Sequence, residues 1–167
     1  MKRKTALYGL LVALAFILSY LESLLPLSVG IPGIKLGLAN LVVLLALYRL
    51  RPRDALVISA VRILLAGLTF GSPTTMLYSL CGGLLSFAVM ALCRRCGCFS
   101  VVGVSMAGGV SHNVGQIAAA AVLLGTGEIV WYLPVLLVAG LVTGCLLGVA
   151  VRLLLPRLSH GFLHNRS

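Results

Sequence analysis

The sequence predicts an all-α membrane protein, a bundle of six transmembrane helices with both termini in the cytoplasm. Of its residues, 60% are hydrophobic and 10% are charged, whereas about a quarter of the residues in a soluble domain are charged. Long apolar runs fill almost the whole chain, and basic residues cluster at every second gap between them. This alternation is the positive-inside pattern of a multi-pass protein of the cell membrane.

The basic clusters predict the orientation of the chain. Eleven of the 13 Lys and Arg residues fall into four clusters. The clusters are Lys2 with Arg3 and Lys4, Arg49 with Arg51 and Arg53, Arg94 with Arg95, and Arg152 with Arg157 and Arg166. Loops of this kind stay on the cytoplasmic side of a membrane. Topology and anionic lipid headgroups therefore explain the net charge of +10 better than nucleic-acid binding does, and no nucleic-acid partner is expected.

One membrane crossing by a helix needs roughly 20 apolar residues. The predicted spans are 7–25, 34–50, 55–70, 74–92, 99–124 and 129–155. Spans two and three are short and could form a re-entrant hairpin, but the polar turn from Arg51 to Asp54 favours two crossings. Span one resembles a signal peptide, yet its apolar run continues well past the candidate cleavage triplet, so a retained helix is expected. The six spans form a single domain over residues 1–158, and 159–167 form a short cytoplasmic tail.

Small residues at intervals of four predict close helix packing. Gly140, Gly144 and Gly148 form such a line in span six. A second stripe in span five contains Gly103, Ala107, Ser111, Gly115 and Ala119. Span one has two shorter pairs, Gly9 with Ala13 and Ala15 with Ser19. Packing inside one bundle accounts for most of these lines, and in span one they alternatively form a face that docks a partner membrane subunit.

Arg62 lies inside span three, about 12 Å from its cytoplasmic end at 1.5 Å per residue. A guanidinium at that depth costs about 2.5–3.5 kcal/mol on insertion scales, so it must face protein or water. The three acids, Glu22, Asp54 and Glu128, all lie near the ends of spans. Two interpretations stay open. Either Arg62 is satisfied by carbonyls, Ser59 and amide side chains, or it awaits an anionic ligand.

Span five carries three hydrogen-bonding side chains, His112, Asn113 and Gln116. Their spacings of three and four residues place them on one broad helical face. Such a concentration indicates a polar cavity more than a contact between two helices. One His with two amides lacks the His, Cys and carboxylate set of a metal site.

Lys35 and Asn40 enter span two from the first outer loop. Lys35 is either an interfacial anchor whose ammonium reaches the headgroups or a residue at the outer mouth of a cavity that contains Arg62. The two interpretations are evenly balanced.

Several activities have no support in the sequence. The chain has no phosphate-binding loop of the form GxxxxGK[ST] and no paired carboxylates that could hold Mg²⁺ against a diphosphate. We therefore expect no catalytic activity of its own and no cofactor.

Four segments resemble a known family: residues 18–23 (LSYLES), 32–40 (PGIKLGLAN), 70–72 (FGS) and 112–116 (HNVGQ). They are similar to the small membrane family called heptaprenyl diphosphate synthase component I, or the Gx transporter family. That family in turn resembles the substrate-binding S components of energy-coupling factor (ECF) transporters.

The resemblance implies a membrane-embedded binding subunit, and the excess of positive groups over acids inside the bundle indicates a small, anionic ligand. The resemblance implies a ligand pocket formed by Lys35, Asn40, Arg62, His112, Asn113 and Gln116. It also implies that early helices dock a transmembrane coupling subunit with two ATPases, for which Gly9, Ala13, Ala15 and Ser19 are the nearest match to the docking motif. The enzyme name implies the alternative, a membrane accessory that binds a prenyl diphosphate while a soluble subunit does the chemistry.

Overall fold

A computed structural model gives the fold of residues 2–24 and 37–162. Its six α-helices, α1 to α6, span Lys2–Leu24, Leu38–Arg49, Pro52–Thr69, Pro73–Cys96, Val101–Leu124 and Leu133–Phe162. A short 3₁₀ helix, Glu128–Tyr132, precedes α6. No strand occurs in these two ranges. The predicted all-helical fold is confirmed, and each predicted span corresponds to one helix.

Among the described residues, three helical segments are long and apolar enough to cross a membrane: Thr5–Leu24, Pro73–Cys96 and Glu128–Arg157. The helix α2 has 12 residues and is about 18 Å long at 1.5 Å per residue, which is less than the roughly 30 Å of a hydrocarbon core. The three apolar segments indicate a membrane protein.

The outer surface of the helices is apolar as well. Leu10, Leu68, Val122 and Leu146 are all more than half exposed. A soluble monomer rarely exposes large contiguous apolar patches, whereas lipid tails solvate them at no cost.

Proline, capping side chains and glycine mark several of the helix ends. Pro52 and Pro73 lie at the first positions of α3 and α4, where the missing N–H is no loss. The hydroxyl of Ser72 accepts a hydrogen bond from the Thr75 backbone N–H, and the Thr75 hydroxyl in turn accepts one from the Ser72 N–H, which forms a capping box. Gly97 ends α4 with φ +71°, a conformation that favours glycine.

Glycines set the close packing of α6 on α5. A methyl group on Gly144 would lie 2.7 Å from the Met106 Cα, and one on Gly148 would lie 2.7 Å from the Val102 Cα. Only a hydrogen atom fits at such positions, so the two backbones are in direct contact. The prediction that the glycine line of span six serves helix packing is confirmed.

The helix contacts close into a ring around a central space. Contacts run from α2 through α3, α4, α5 and α6 and back to α2, and α1 packs on α2 and α3. Tyr8 of α1 donates a 2.8 Å hydrogen bond to the carboxylate of Asp54 in α3. At the other end of α3, the ring of Phe70 packs against the rings of Phe16 and Tyr20, with centroids 5.6 and 5.7 Å away. The helix α1 is thus fixed to α3 at both ends.

Candidate functional site

The centre of the ring is a cavity of about 490 Å³. This volume lies within the range of pockets that bind small molecules. Every helix contributes a polar side chain to its wall. In chain order, examples are Ser19, Asn40, Arg62, Ser79, His112 and Thr143.

Arg62 is the one positively charged side chain among the described residues of this wall. Its side chain is 9% exposed. Its NH1 donates to the Ser19 hydroxyl at 3.2 Å, and its NH2 donates to the Asn40 side-chain oxygen at 3.5 Å. Its Nε is buried and has no hydrogen-bond partner among the described residues. Both acceptors are neutral oxygens. Among the described residues, the Nε–H of the guanidinium remains a donor without an acceptor.

Local structure holds both acceptors in place. The Ser19 hydroxyl donates to the Ala15 carbonyl at 3.0 Å, one turn earlier in α1. Asn40 lies in the first turn of α2, where its backbone N–H donates to the Gly37 carbonyl at 2.7 Å. Gly37 has φ +69°, a conformation that suits glycine. The partner Ser59, proposed for Arg62 from the sequence, is buried, but the hydrogen bonds of Arg62 go to Ser19 and Asn40.

Glu22 also lines the cavity. Its carboxylate accepts a hydrogen bond from the backbone N–H of Gly37, and it interacts electrostatically with Arg62. From the sequence, Glu22 was expected only near the end of span one, and its relationship to Arg62 was not predicted. The signal that could have found it is its position three residues after Ser19, on the same face of α1.

The three polar residues of α5 all line the cavity. The side-chain nitrogen of Asn113 donates to the Leu136 carbonyl of α6 at 2.5 Å. The amide NH₂ group of Asn113 therefore links α5 to α6. Gly82 of α4 leaves room for the other two. A methyl group there would lie 2.7 Å from the Gln116 Cγ and 2.7 Å from the His112 carbonyl oxygen.

The structure therefore brings five of the six predicted pocket residues together: Asn40, Arg62, His112, Asn113 and Gln116. The sixth, Lys35, lies outside the described residues. The four predicted docking residues are divided. Gly9 and Ala13 lie on the exposed face of α1, whereas Ala15 and Ser19 are buried in the bundle. Ala15 and Ser19 thus pack inside the bundle, and of the four residues only Gly9 and Ala13 could contact a partner subunit.

Sequence reasoning missed the hydroxyls of α4 and of the first half of α5. Ser86 and Ser105 are buried cavity residues, and the Ser86 hydroxyl donates to the Gly108 carbonyl at 2.8 Å. Single serines in apolar helices carry little signal, because most of them bond to a neighbouring backbone. Within the described ranges, no three His, Cys, Asp or Glu side chains are grouped to hold a metal ion.

A family model described as heptaprenyl diphosphate synthase component I matches residues 11–154 of the chain. No curated protein and no solved structure matches it. The matched residues include every described part of the cavity wall.

Proposed function

The chain belongs to the heptaprenyl diphosphate synthase component I family, and we propose that it is the membrane-embedded accessory of a prenyl diphosphate synthase. In this role it binds the anionic end of a prenyl diphosphate in the central cavity, and a separate soluble subunit does the chemistry. The observation that carries the proposal is the buried Nε of Arg62, which has no hydrogen-bond partner among the described residues.

The chemistry of Arg62 suits a phosphate. A guanidinium presents a planar fork of donors that matches phosphate oxygens, and such charge-assisted bonds are about twice as strong as neutral ones. A buried donor without a partner costs about 1–3 kcal/mol. An oxygen of a bound phosphate removes that cost at Arg62.

The remaining wall suits an isoprenoid chain next to its head group. Leu44, Ile63, Met76, Met90 and Leu147 face the same cavity as Arg62. Aliphatic and thioether side chains adapt well to an irregular apolar ligand. The cavity volume of about 490 Å³ accommodates a head group with the first part of a prenyl chain.

We propose that the chain itself is not the catalyst. Within the described part of the chain, Glu22 is the one carboxylate in the cavity wall. A Mg²⁺ ion that activates a diphosphate is held by carboxylates together with phosphate oxygens. A partner subunit with its own acidic residues would supply this function.

We also propose that all six helices cross the membrane, with both termini in the cytoplasm. The helix α2 is shorter than the hydrocarbon core, but half of its residues are buried against neighbouring helices, so its crossing lies within protein and not against lipid. In the α2–α3 turn and at the end of α4, Arg51 and Arg95 are exposed. Both turns then lie at the cytoplasmic end of the bundle, as the positive-inside rule requires.

Farnesyl diphosphate binding to the purified protein in neutral-lipid nanodiscs tests the proposal. We expect Arg62→Gln to weaken binding at least tenfold, because a hydrogen bond to a charged group contributes about 1.5–3 kcal/mol. Arg53→Gln is the matched control, since Arg53 is an exposed arginine outside the cavity. Equal affinities of the wild type and Arg62→Gln would contradict the role of Arg62, and an absence of binding by the wild type would contradict the function.

A second candidate function is a substrate-binding subunit of a transporter, as in the S components of ECF transporters. The observation that favours it is the set of polar side chains in the wall, at least one from each of the six helices. Such a wall suits a small water-soluble anion. The exposed pair Gly9 and Ala13 would then contact a coupling subunit that works with ATPases.

Deletion of the chain separates the two functions. As a synthase accessory, its loss lowers prenyl synthase activity in membranes and leaves solute uptake unchanged. As a transport subunit, its loss abolishes accumulation of a labelled solute that also depends on an ATPase.

A further inference from the structure

Glu22 and Arg62 lie on the wall of one cavity although they come from different helices. The side chain of Ser19 contacts Arg62, and Glu22 follows Ser19 by three residues on the same face of α1. The hydrogen bond from the Gly37 N–H holds the Glu22 carboxylate at the start of α2. The carboxylate is therefore fixed near the guanidinium and acts on it electrostatically.

This arrangement balances the charge of the cavity. Among the described lining residues, Arg62 contributes one positive charge and Glu22 contributes one negative charge. An anion that approaches Arg62 is attracted by the guanidinium and repelled by the carboxylate. Both effects grow in proportion to the charge of the anion, so the carboxylate offsets part of the attraction by the guanidinium.

We infer that Glu22 is a specificity-determining residue that limits how strongly the cavity responds to the charge of its ligand. The inference rests on the proposed function for the class of ligand, a prenyl phosphate or diphosphate. With Glu22 present, hydrogen bonds and apolar contacts distinguish ligands, and a second phosphate group adds less affinity than it would without the carboxylate. Highly charged soluble anions such as inorganic pyrophosphate are therefore disfavoured against an amphiphilic ligand.

A purely structural role of Glu22 gives a different expectation. Its hydrogen bond with Gly37 alone would fix the start of α2. Glutamine retains the accepting oxygen and removes only the charge. If Glu22 is structural, Glu22→Gln affects all ligands alike, whatever their charge.

A series of ligands with one tail and increasing charge tests the inference. Farnesol is uncharged, farnesyl phosphate carries about −1.5 to −2 at neutral pH, and farnesyl diphosphate carries more. Their dissociation constants are measured by calorimetry with the wild type, Glu22→Gln and Glu128→Gln in phosphatidylcholine nanodiscs. Glu128 is the matched control, because it is an exposed glutamate outside the cavity.

In the wild type we expect farnesyl phosphate and farnesyl diphosphate to have dissociation constants within about tenfold of each other, and both to bind more tightly than farnesol, which has no phosphate for Arg62. In Glu22→Gln we expect farnesyl diphosphate to bind roughly tenfold more tightly than in the wild type, with farnesol unchanged. Glu128→Gln should behave as the wild type does. A Glu22→Gln variant that shifts all three constants equally, or none, overturns the inference.

The wild type decides the question even if Glu22→Gln does not fold. A wild-type affinity that rises by much more than tenfold from farnesyl phosphate to farnesyl diphosphate shows that Glu22 does not limit the response to charge, and it overturns the inference alone. If the wild type binds none of the three ligands, the proposed function fails and the inference fails with it.

Discussion

The NH1 group of Arg62 lies 3.2 Å from the hydroxyl oxygen of Ser19, which links α3 to α1 at the wall of the cavity. This contact occupies part of the guanidinium and leaves its Nε without a partner among the described residues. Arg62 is thus held in position by neutral groups while one of its donors stays available.

The first prediction concerns Ser19. Replacement by alanine removes the acceptor of Arg62 and leaves a further buried donor unsatisfied, so we expect the free energy of unfolding to fall by about 1–2 kcal/mol. Affinity for farnesyl diphosphate should fall severalfold, because the guanidinium is less well fixed. Thermal melting and ligand titration measure the two effects.

Ser23→Ala is the control for Ser19. Ser23 also lines the cavity, but its hydroxyl donates to the Tyr20 carbonyl of its own helix at 2.7 Å. We expect little change in stability from this variant. If Ser19→Ala and Ser23→Ala lower the free energy of unfolding equally, the contact of Ser19 with Arg62 does not stabilise the protein.

The second prediction concerns the contact of α6 with α5. We expect Gly144→Ala to destabilise the protein by about 1–3 kcal/mol, because the new methyl group would meet the backbone of α5. That methyl group would lie 2.7 Å from the Met106 Cα and 2.8 Å from the Ser105 carbonyl oxygen. Melting in detergent measures the loss.

Gly127→Ala is the matched control for Gly144. A methyl group at Gly127 would have no other atom within 4 Å among the described residues, and its φ of −82° suits any residue. A melting temperature as low for Gly127→Ala as for Gly144→Ala would contradict the packing argument.

The third prediction concerns topology. Cys96 and Cys98 are exposed at the α4–α5 turn, which we place in the cytoplasm. In intact cells, a membrane-impermeant maleimide should leave both thiols unlabelled, and it should label them once the membrane is opened. A cysteine in place of Thr126, which is exposed after α5, should be labelled from outside in a background without the native cysteines. The reverse pattern would contradict the proposed orientation.

The helices were predictable from the sequence because each carries its own signal. Apolar runs, the arginines of the turns and residues such as Pro52 and Pro73 mark where helices begin and end, and these signals are local. The position of Arg62 in the interior of α3 and the shared face of His112 and Gln116 follow from helical periodicity in the same way.

The partners of Arg62 were not predictable by these means. Ser19, Asn40 and Glu22 come from α1 and α2, and only the packing of three helices brings them to one wall. The burial of Ala15 and Ser19 was not predictable for the same reason. In the sequence, a pair of small residues that faces the bundle cannot be distinguished from a pair that faces its surroundings. Lys35 lies outside the described residues, so its predicted place at the mouth of the cavity stays a prediction.

The central claim is that the Nε–H of Arg62 receives the anionic end of the ligand. Nuclear magnetic resonance of ¹⁵N-arginine-labelled protein in nanodiscs tests it most directly, with the Arg62 signal assigned from its loss in Arg62→Lys. The account predicts that farnesyl diphosphate shifts the Nε–H resonance of Arg62 strongly and leaves that of Arg53 in place. A bound ligand that leaves the Arg62 resonance unchanged would contradict it.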